Sequence, residues 1–283
     1  KLVVNSKKRG GYVNNTDSPY QAAQGVIPNA VADHFELDTI DSKGFKLTLA
    51  YEGDDMSYSL TIDETDQDNI PPFAQLTNTI PNWSTAFGVG ASPATNGLKL
   101  WPIELFKNDK RQGVAHINTP TYELSVVRGT SINFSREISL GTLKVIWSKR
   151  ETDWDDRLDL DGGPFPIADT ERHTTYEAES LEIQLSGSTD NMEYVFGYYS
   201  LEDDAYTSNP QSFFGGGQVF AQNYSGSGDS QAFFGQITWA IADKWDMTIG
   251  ARTTEEDKDG FKEYVGIISA KGSGSFDDTT GTF

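Results

Sequence analysis

The feature that most constrains this chain is a strict two-residue alternation of apolar and polar side chains. It recurs in pairs of segments, and its phase reverses across a short turn. Phe45, Leu47, Leu49 and Tyr51 alternate with Lys46, Thr48, Ala50 and Glu52. After Gly53-Asp54-Asp55 the phase flips, and Met56, Tyr58, Leu60 and Ile62 alternate with Ser57, Ser59 and Thr61. A period of two is the mark of a strand with two unlike faces, and a flip across Gly-Asp-Asp marks a hairpin. A second unit runs through Ile132 and Phe134, turns at Ser139-Leu140-Gly141-Thr142, and returns through Leu143, Val145 and Trp147, with Ile146 breaking the pattern. A third pairs Leu181, Ile183 and Leu185 with Tyr194, Phe196 and Tyr198 around a turn at 187–191. The fourth carries Phe233, Gly235, Ile237, Trp239 and Ile241 on one face, turns at Ala242-Asp243-Lys244, and returns through Met247, Ile249 and Ala251.

The connections between hairpins differ from the turns within them. They run about 10–42, 66–128, 157–173, 206–228 and 260–274 and are rich in Gly, Asn, Asp, Ser and Pro. A soluble sandwich has no reason to keep every second connection short. An outer-membrane barrel does, because its periplasmic turns are short and its extracellular loops long. A segment of about 10 residues spans roughly 33 Å and, tilted near 45°, crosses about 24 Å, the height of such a barrel's apolar band. Tyr51, Trp147, Tyr198 and Trp239 lie on the apolar faces, as interfacial girdle residues would. The sequence therefore predicts an all-β fold: part of an antiparallel transmembrane β-barrel of about ten strands, the first and last incomplete. An open sheet of that size would leave unpaired edges in lipid. Either a small barrel closes on itself or further strands complete it, and the ragged ends favour the second.

Composition is consistent with this fold and excludes several functions. No apolar run reaches the length of a transmembrane helix, but strands that show lipid on one face need none. A net charge of −20 argues against a nucleic-acid partner. It reads first as a solvated acidic surface, with a bias toward cationic ligands as the alternative. With 0 Cys there is no disulfide framework, thiolate metal site or thiol nucleophile. Lys1-Leu2-Val3-Val4 is too short for the apolar core of a signal peptide, so the chain reads as a fragment or a processed product.

Three stretches resemble barrel segments of TonB-dependent receptors. Ser180-Leu-Glu-Ile-Gln-Leu-Ser-Gly187 followed by Glu193-Tyr-Val-Phe-Gly-Tyr-Tyr199 is similar to the family's strand pair "E-L-R-L-S-G" and "Y-V-x-G-x-Y", with Gln184 in place of the usual basic residue. Ser230-Gln-Ala-Phe-Phe-Gly-Gln-Ile-Thr-Trp239, Asp243-Lys-Trp245 and Met247-Thr-Ile-Gly-Ala-Arg-Thr253 resemble "A-x-F-G-Q-x-x-Y" and "D-x-L-x-L-x-x-G-x-R-Y", and Glu255, Glu256 and Asp257 supply the acidic loop start. Gly11-Tyr-Val-Asn-Asn15 is similar to a "G-Y-x-x-N" after an early barrel strand. The matches anchor residues 1–20 and 130–283, and 66–128 corresponds to a long variable loop.

The resemblance implies a plug domain inside a 22-stranded barrel in the outer membrane of a Gram-negative bacterium. It implies capture of a scarce nutrient, whether a ferric siderophore, a cobalamin, haem or a glycan, with uptake energised by TonB, ExbB and ExbD. It also implies contact with outer-membrane lipid and lipopolysaccharide; the sequence carries no catalytic constellation, so no enzyme and no cofactor are expected. On this reading 1–283 is part of one barrel domain, and the plug and the C-terminal strands lie outside it. Asp277, Thr279 and Gly281 before Phe283 are not apolar, unlike an aromatic-ended last strand.

Candidate site residues follow from position. Trp83, Phe87, Trp101 and Phe106, with Phe73, sit in the 66–128 connection and could stack on a flat ligand or pack a small core of the loop's own. Glu182, Gln184, Thr248 and Arg252 alternate with the apolar residues and are expected to face the lumen, toward plug or substrate. By the same alternation Ile237 faces lipid and Thr238 the lumen. The acidic run Asp153, Asp155, Asp156, Asp159 and Asp161 reads as a solvated extracellular loop. Asp159-x-Asp161-Gly162 resembles half of a calcium loop, but the first and twelfth ligand positions would be Arg157 and Ala168. His34, His116 and His173 are too scattered for a metal pair, and no nucleophile elbow or phosphate loop occurs. The competing functions are a structural or adhesive barrel without energised uptake and a soluble secreted β-sandwich that binds carbohydrate.

Overall fold

In a computed structural model that describes residues 1–17, 35–78, 107–214 and 217–282, every regular element is a β-strand. The strands are β1 (Leu2–Arg9), β2 (Val13–Asn15), β3 (Glu36–Leu37), β4 (Ile40–Glu52), β5 (Met56–Asn69), β6 (Val114–Ala115), β7 (Tyr122–Ile138), β8 (Gly141–Asp159), β9 (Ala168–Thr189), β10 (Met192–Phe213), β11 (Gln218–Ala242), β12 (Trp245–Tyr264) and β13 (Ile268–Thr282).

Ten of them form one sheet in the order β1-β4-β5-β7-β8-β9-β10-β11-β12-β13, each antiparallel to the next. The hairpins fall where the phase flips. Leu49 pairs with Leu60, Ile132 with Trp147, Ile183 with Tyr198, and Ile237 with Ile249. Because the period of a strand is two, these registers put all the apolar sets on one face of the sheet. Among the described residues no second sheet covers that face. Phe233 is 62% and Leu49 57% exposed, which no soluble β-sandwich would tolerate at the centre of its strands.

Above the apolar band the same face turns charged within one or two alternate positions. Ile62 is followed by Glu64 and Asp66, Trp147 by Lys149 and Glu151, and Ala251 by Thr253 and Glu255. Reading backward along β9, Leu181 gives way to Glu179 and Glu177.

The connections differ from the sequence expectation at one end of the sheet. Most of 157–173, 206–228 and 260–274 is strand, and the chain reverses between Phe213 and Gln218 and at 265–267. The Gly, Asn, Ser and Asp content suggested loops. Once the spanning segments fix the register, however, continuing the ladder pairs backbone groups that a loop would leave to water. Pro210 shows how the ladder tolerates a missing donor. It stands where a residue would pair with Glu171, and the neighbouring Asn209 side chain donates to Glu171 O at 2.9 Å instead.

The remaining short strands build a crown at this end. β2 lies between β3, antiparallel to it, and β6, parallel to it. Val13, Leu37, Ala115 and Ile117 form its core, with Phe35, Ile70 and Phe73 packed against them. Phe73 therefore fills a core. Asn15 is buried and pairs with Ile117 in both directions: its amide donates to Ile117 O at 3.1 Å, and Ile117 N–H donates to Asn15 Oδ1 at 2.9 Å.

Candidate functional site

The polar face is built by the residues that alternate with the apolar ones. Glu182, Gln184, Thr248 and Arg252 all stand on it. Gln184, Gly197, Phe234 and Arg252 form one row across β9, β10, β11 and β12. The Phe234 ring lies over Gly197, where a Cβ would collide with it, and the Arg252 guanidinium sits 5.9 Å from the ring centroid. On the opposite face Phe196 covers Gly235 in the same way. Gln184 Nε2 donates to Glu182 Oε1 at 2.6 Å, and Arg252 Nε to Thr254 Oγ1 at 3.1 Å. Thr248 is paired with Thr238 through their hydroxyls at 3.0 Å. Gln184 and Arg252 thus share a row, while Glu182 and Thr248 lie in other rows of the same wall.

Nearer the crown the polar face carries a tighter cluster that sequence reasoning missed. Asp156 on β8 is opposite Arg172 on β9. Arg172 Nε donates to Asp156 Oδ1 at 2.9 Å, and its second nitrogen to Asp156 Oδ2, a bidentate pair. Asp156 is buried, and the guanidinium lies 5.9 Å from the Trp154 ring. Beside it, the Thr174 and Thr207 hydroxyls meet at 3.0 Å, and Asn209 Nδ2 donates to Thr170 Oγ1 at 2.6 Å. Burial here is one-sided. Asp156, Thr170, Thr207 and Asn209 on the polar face are buried, whereas Asp155 and His173 on the other face are about half exposed. The only sequence signal was an acidic run and an Arg some fifteen residues on, and nothing but the β8–β9 register joins them.

The acidic run corrects the sequence reading. Asp159 and Asp161 are 5% and 9% exposed, so this turn is not a solvated loop. Gly162 N–H donates to Asp159 Oδ1 at 2.8 Å, and Gly163 N–H to Asp161 Oδ1 at 3.0 Å. Gly162 has φ +68, and a Cβ on it would strike Ala74 O, so the turn packs directly on the 70–78 segment. Among the described residues no group of three or more His, Cys, Asp or Glu side chains could hold a metal ion. Trp83, Phe87, Trp101 and Phe106 lie outside the described residues.

A meander of long antiparallel strands, apolar on one face and polar on the other, defines the sheet of an outer-membrane β-barrel. More particularly, the chain has the barrel fold of TonB-dependent receptors. It is similar to the ferric yersiniabactin uptake receptor FyuA from Yersinia pestis, with a TM-score of 0.64 and 11% identity over 99% of this chain and 38% of that one. It is similar to the ferric-catecholate import receptor Fiu from E. coli K12, with a TM-score of 0.52 and 11% identity over 99% of this chain and 46% of that one. The siderophore receptor PiuA from Acinetobacter baumannii gives 0.51 and 10% over 88% of this chain and 41% of that one. The chain spans less than half the length of each. No family model matches the sequence, and no curated protein matches it.

Proposed function

We propose that this chain is part of the barrel of a TonB-dependent receptor in the outer membrane of a Gram-negative bacterium, and that the receptor takes up a ferric siderophore. Residues 1–283 then belong to one barrel domain. β1 and β13 each have one edge unpaired among the described residues, and lipid does not tolerate an open edge. The barrel is therefore closed by further strands, a plug fills it, and TonB with ExbB and ExbD supplies the energy.

The observation that carries this reading is the two-faced ten-stranded sheet, with its uncovered apolar band and polar opposite wall. The similar structures are described as receptors for ferric yersiniabactin, ferric catecholates and siderophores, which favours an iron chelate over cobalamin, haem or a glycan. Trp154 and the Arg172–Asp156 pair offer stacking and a directed cation to such a ligand, and Trp83, Phe87, Trp101 and Phe106 of the 66–128 connection are proposed to add aromatic contacts to it. Gln184 and Arg252 lie deeper, where a plug or a passing ligand would meet them. The chemistry is recognition and passage, without catalysis.

The test is binding and growth with the full receptor. Tryptophan quenching should report tight binding of a ferric siderophore, and iron-starved cells should need both the receptor and TonB to use it. Growth support that survives loss of TonB would point to a passive or adhesive barrel. Binding of cobalamin, haem or an oligosaccharide, with no response to any ferric chelate, would overturn the substrate class.

A further inference from the structure

We propose that the crown is a proton-linked latch: the buried Asp159–Asp161 pair holds the loop base together while it carries a proton and loosens it when both carboxylates ionise. The latch lies wholly within the described residues and does not rest on the uptake reading.

The pair ties three segments that are distant in sequence. Asp159 Oδ1 accepts from Asp161 N–H at 3.2 Å and Gly162 N–H at 2.8 Å, and Asp159 also accepts from the backbone of Asn118 and Thr119. Asp161 accepts from Gly163 and Ala168, each at 3.0 Å, and from the backbone of Ile167. The Asn118 amide, with its nitrogen turned toward them, donates to Phe165 O at 2.9 Å and Gly163 O at 3.2 Å. Gly162 closes on Ala74 O, which adds the 70–78 segment. Phe165 and Pro164, both fully buried, shut out water.

No cation offsets these two charges among the described residues. Segments 70–78, 117–121 and 160–167 contain no Lys, Arg or His, and Asp161 is their only acid. His116, at the edge of the second segment, has its Nδ1 3.0 Å from Thr16 O. Across the ladder Asp159 is opposite Asp169, another acid, with Glu171 and Arg157 two pairs further along. Arg157 acts on Asp169, whose carboxyl burial pushes up. Two carboxylates in a dry site without a counter-ion cannot both ionise cheaply.

Burial is the largest influence on both groups and raises both. At Asp159 the backbone N–H donors oppose it, and at Asp161 the neighbouring Asp159 charge adds to it. A carboxyl raised in the folded state stabilises that state below the ordinary carboxylate range. The contribution is lost as pH rises through the folded value. The window therefore opens near the ordinary Asp value of 3.8 and extends to about 8 for Asp161. The crown is tightest in acid and loosens toward neutral and alkaline pH.

Hydrogen exchange of the full chain in detergent micelles, without ligand, tests the latch from pH 5 to pH 8. After correction for intrinsic exchange, protection of peptides covering 113–121 and 159–168 should fall by up to about tenfold per pH unit, the slope for one linked proton. The β9–β10 turn at 190–191 should show no such slope. Asp161→Asn should flatten the crown's profile. A flat wild-type profile would overturn the latch, and since this needs no variant, misfolding of Asp161→Asn cannot hide it. A slope that persists unchanged in both Asp161→Asn and Asp159→Asn would also overturn it. So would a flat profile whose protection rises with millimolar calcium, which would make the pair a cation site.

Discussion

The two faces of the sheet can be told apart by a pair of adjacent substitutions on β11. Ile237 lies on the apolar face, opposite Tyr194 on β10 and Ile249 on β12. Its own-face neighbours along the strand are Gly235 and Phe233 on one side and Trp239 and Ile241 on the other, which puts it at the centre of the apolar band. Thr238 points the other way, and its hydroxyl pairs with that of Thr248 at 3.0 Å. An arginine on the lipid side near the midplane costs about 2–4 kcal/mol. On the polar side the guanidinium stays hydrated, and the main loss is one neutral hydrogen bond, about 0.5–1.5 kcal/mol. The gap of about 2 kcal/mol is a factor of roughly 30 in the folding equilibrium. Urea titration of the receptor refolded into short-chain phosphatidylcholine vesicles, followed by tryptophan fluorescence, reads this directly. Ile237→Arg should shift the midpoint markedly, and Thr238→Arg only slightly. Equal shifts, or a larger one for Thr238→Arg, would refute the assignment of faces and with it the membrane reading.

Other perturbations probe particular contacts. Arg172→Ala leaves Asp156 buried without its partner, which should cost about 1–3 kcal/mol after allowance for the exposure of the guanidinium, and should weaken siderophore binding in a quenching titration. Trp154→Ala should weaken binding with little loss of stability, since the residue is 40% exposed. Gly197→Val forces the Phe234 ring off its seat and should lower stability by about 1–3 kcal/mol, visible as a shifted urea midpoint. Asn15→Leu strands the N–H and carbonyl of Ile117, about 1–3 kcal/mol, and should speed hydrogen exchange in 113–119 while leaving the ten-stranded sheet unchanged.

The spanning hairpins were legible because a single rule, alternation with a phase flip, is local and is enforced by lipid on one side. Even Ile146, which broke the pattern, sits on the polar wall between Asn133 and Glu182, where one apolar residue is tolerated. Where lipid no longer imposes a contrast, the signal vanished. Strand segments such as 206–213 and 218–228 scatter a few aromatic and aliphatic residues among Gly, Asn, Ser and Gln without a sustained alternation and read as loops, although their pairing simply continues the register set below. The crown was invisible for another reason. Val13, Leu37 and Ala115 meet across large sequence separations, in strands too short to show a period. Asp156 and Arg172 likewise become partners only through the β8–β9 register. The Gly11–Asn15 motif resembles a family segment, but its physical role is to supply β2 and the buried Asn15 of the crown.

The acidity of the chain also takes on a different meaning in the fold. The sequence reading treated −20 as a property of a solvated surface. The strand pattern instead concentrates many of the carboxylates on the outward face, at the first acidic position beyond the apolar stretch of each strand: Glu64 on β5, Glu179 on β9 and Glu255 on β12, with Asp66, Glu177 and Asp257 next along the same face. On β8 the first such position is Lys149, which ion-pairs with Glu151 at 3.0 Å and Glu177 at 2.7 Å, so it is charged as well. Sliding the sheet inward by one row would draw Glu64, Lys149, Glu179 and Glu255 toward hydrocarbon. A charge costs about 0–1 kcal/mol near the interface and more with depth, so four together resist the slide by up to several kcal/mol. Sliding outward would expose the outermost apolar residues of these strands, Ile62, Trp147, Leu181 and Phe233, to water at about 25 cal/mol per Å² of apolar surface. The two costs rise in opposite directions from the same boundary. On the proposed membrane placement, the charge step therefore fixes the height of the sheet in the bilayer, and with it the height at which the crown and the Arg172–Trp154 wall meet the external solution.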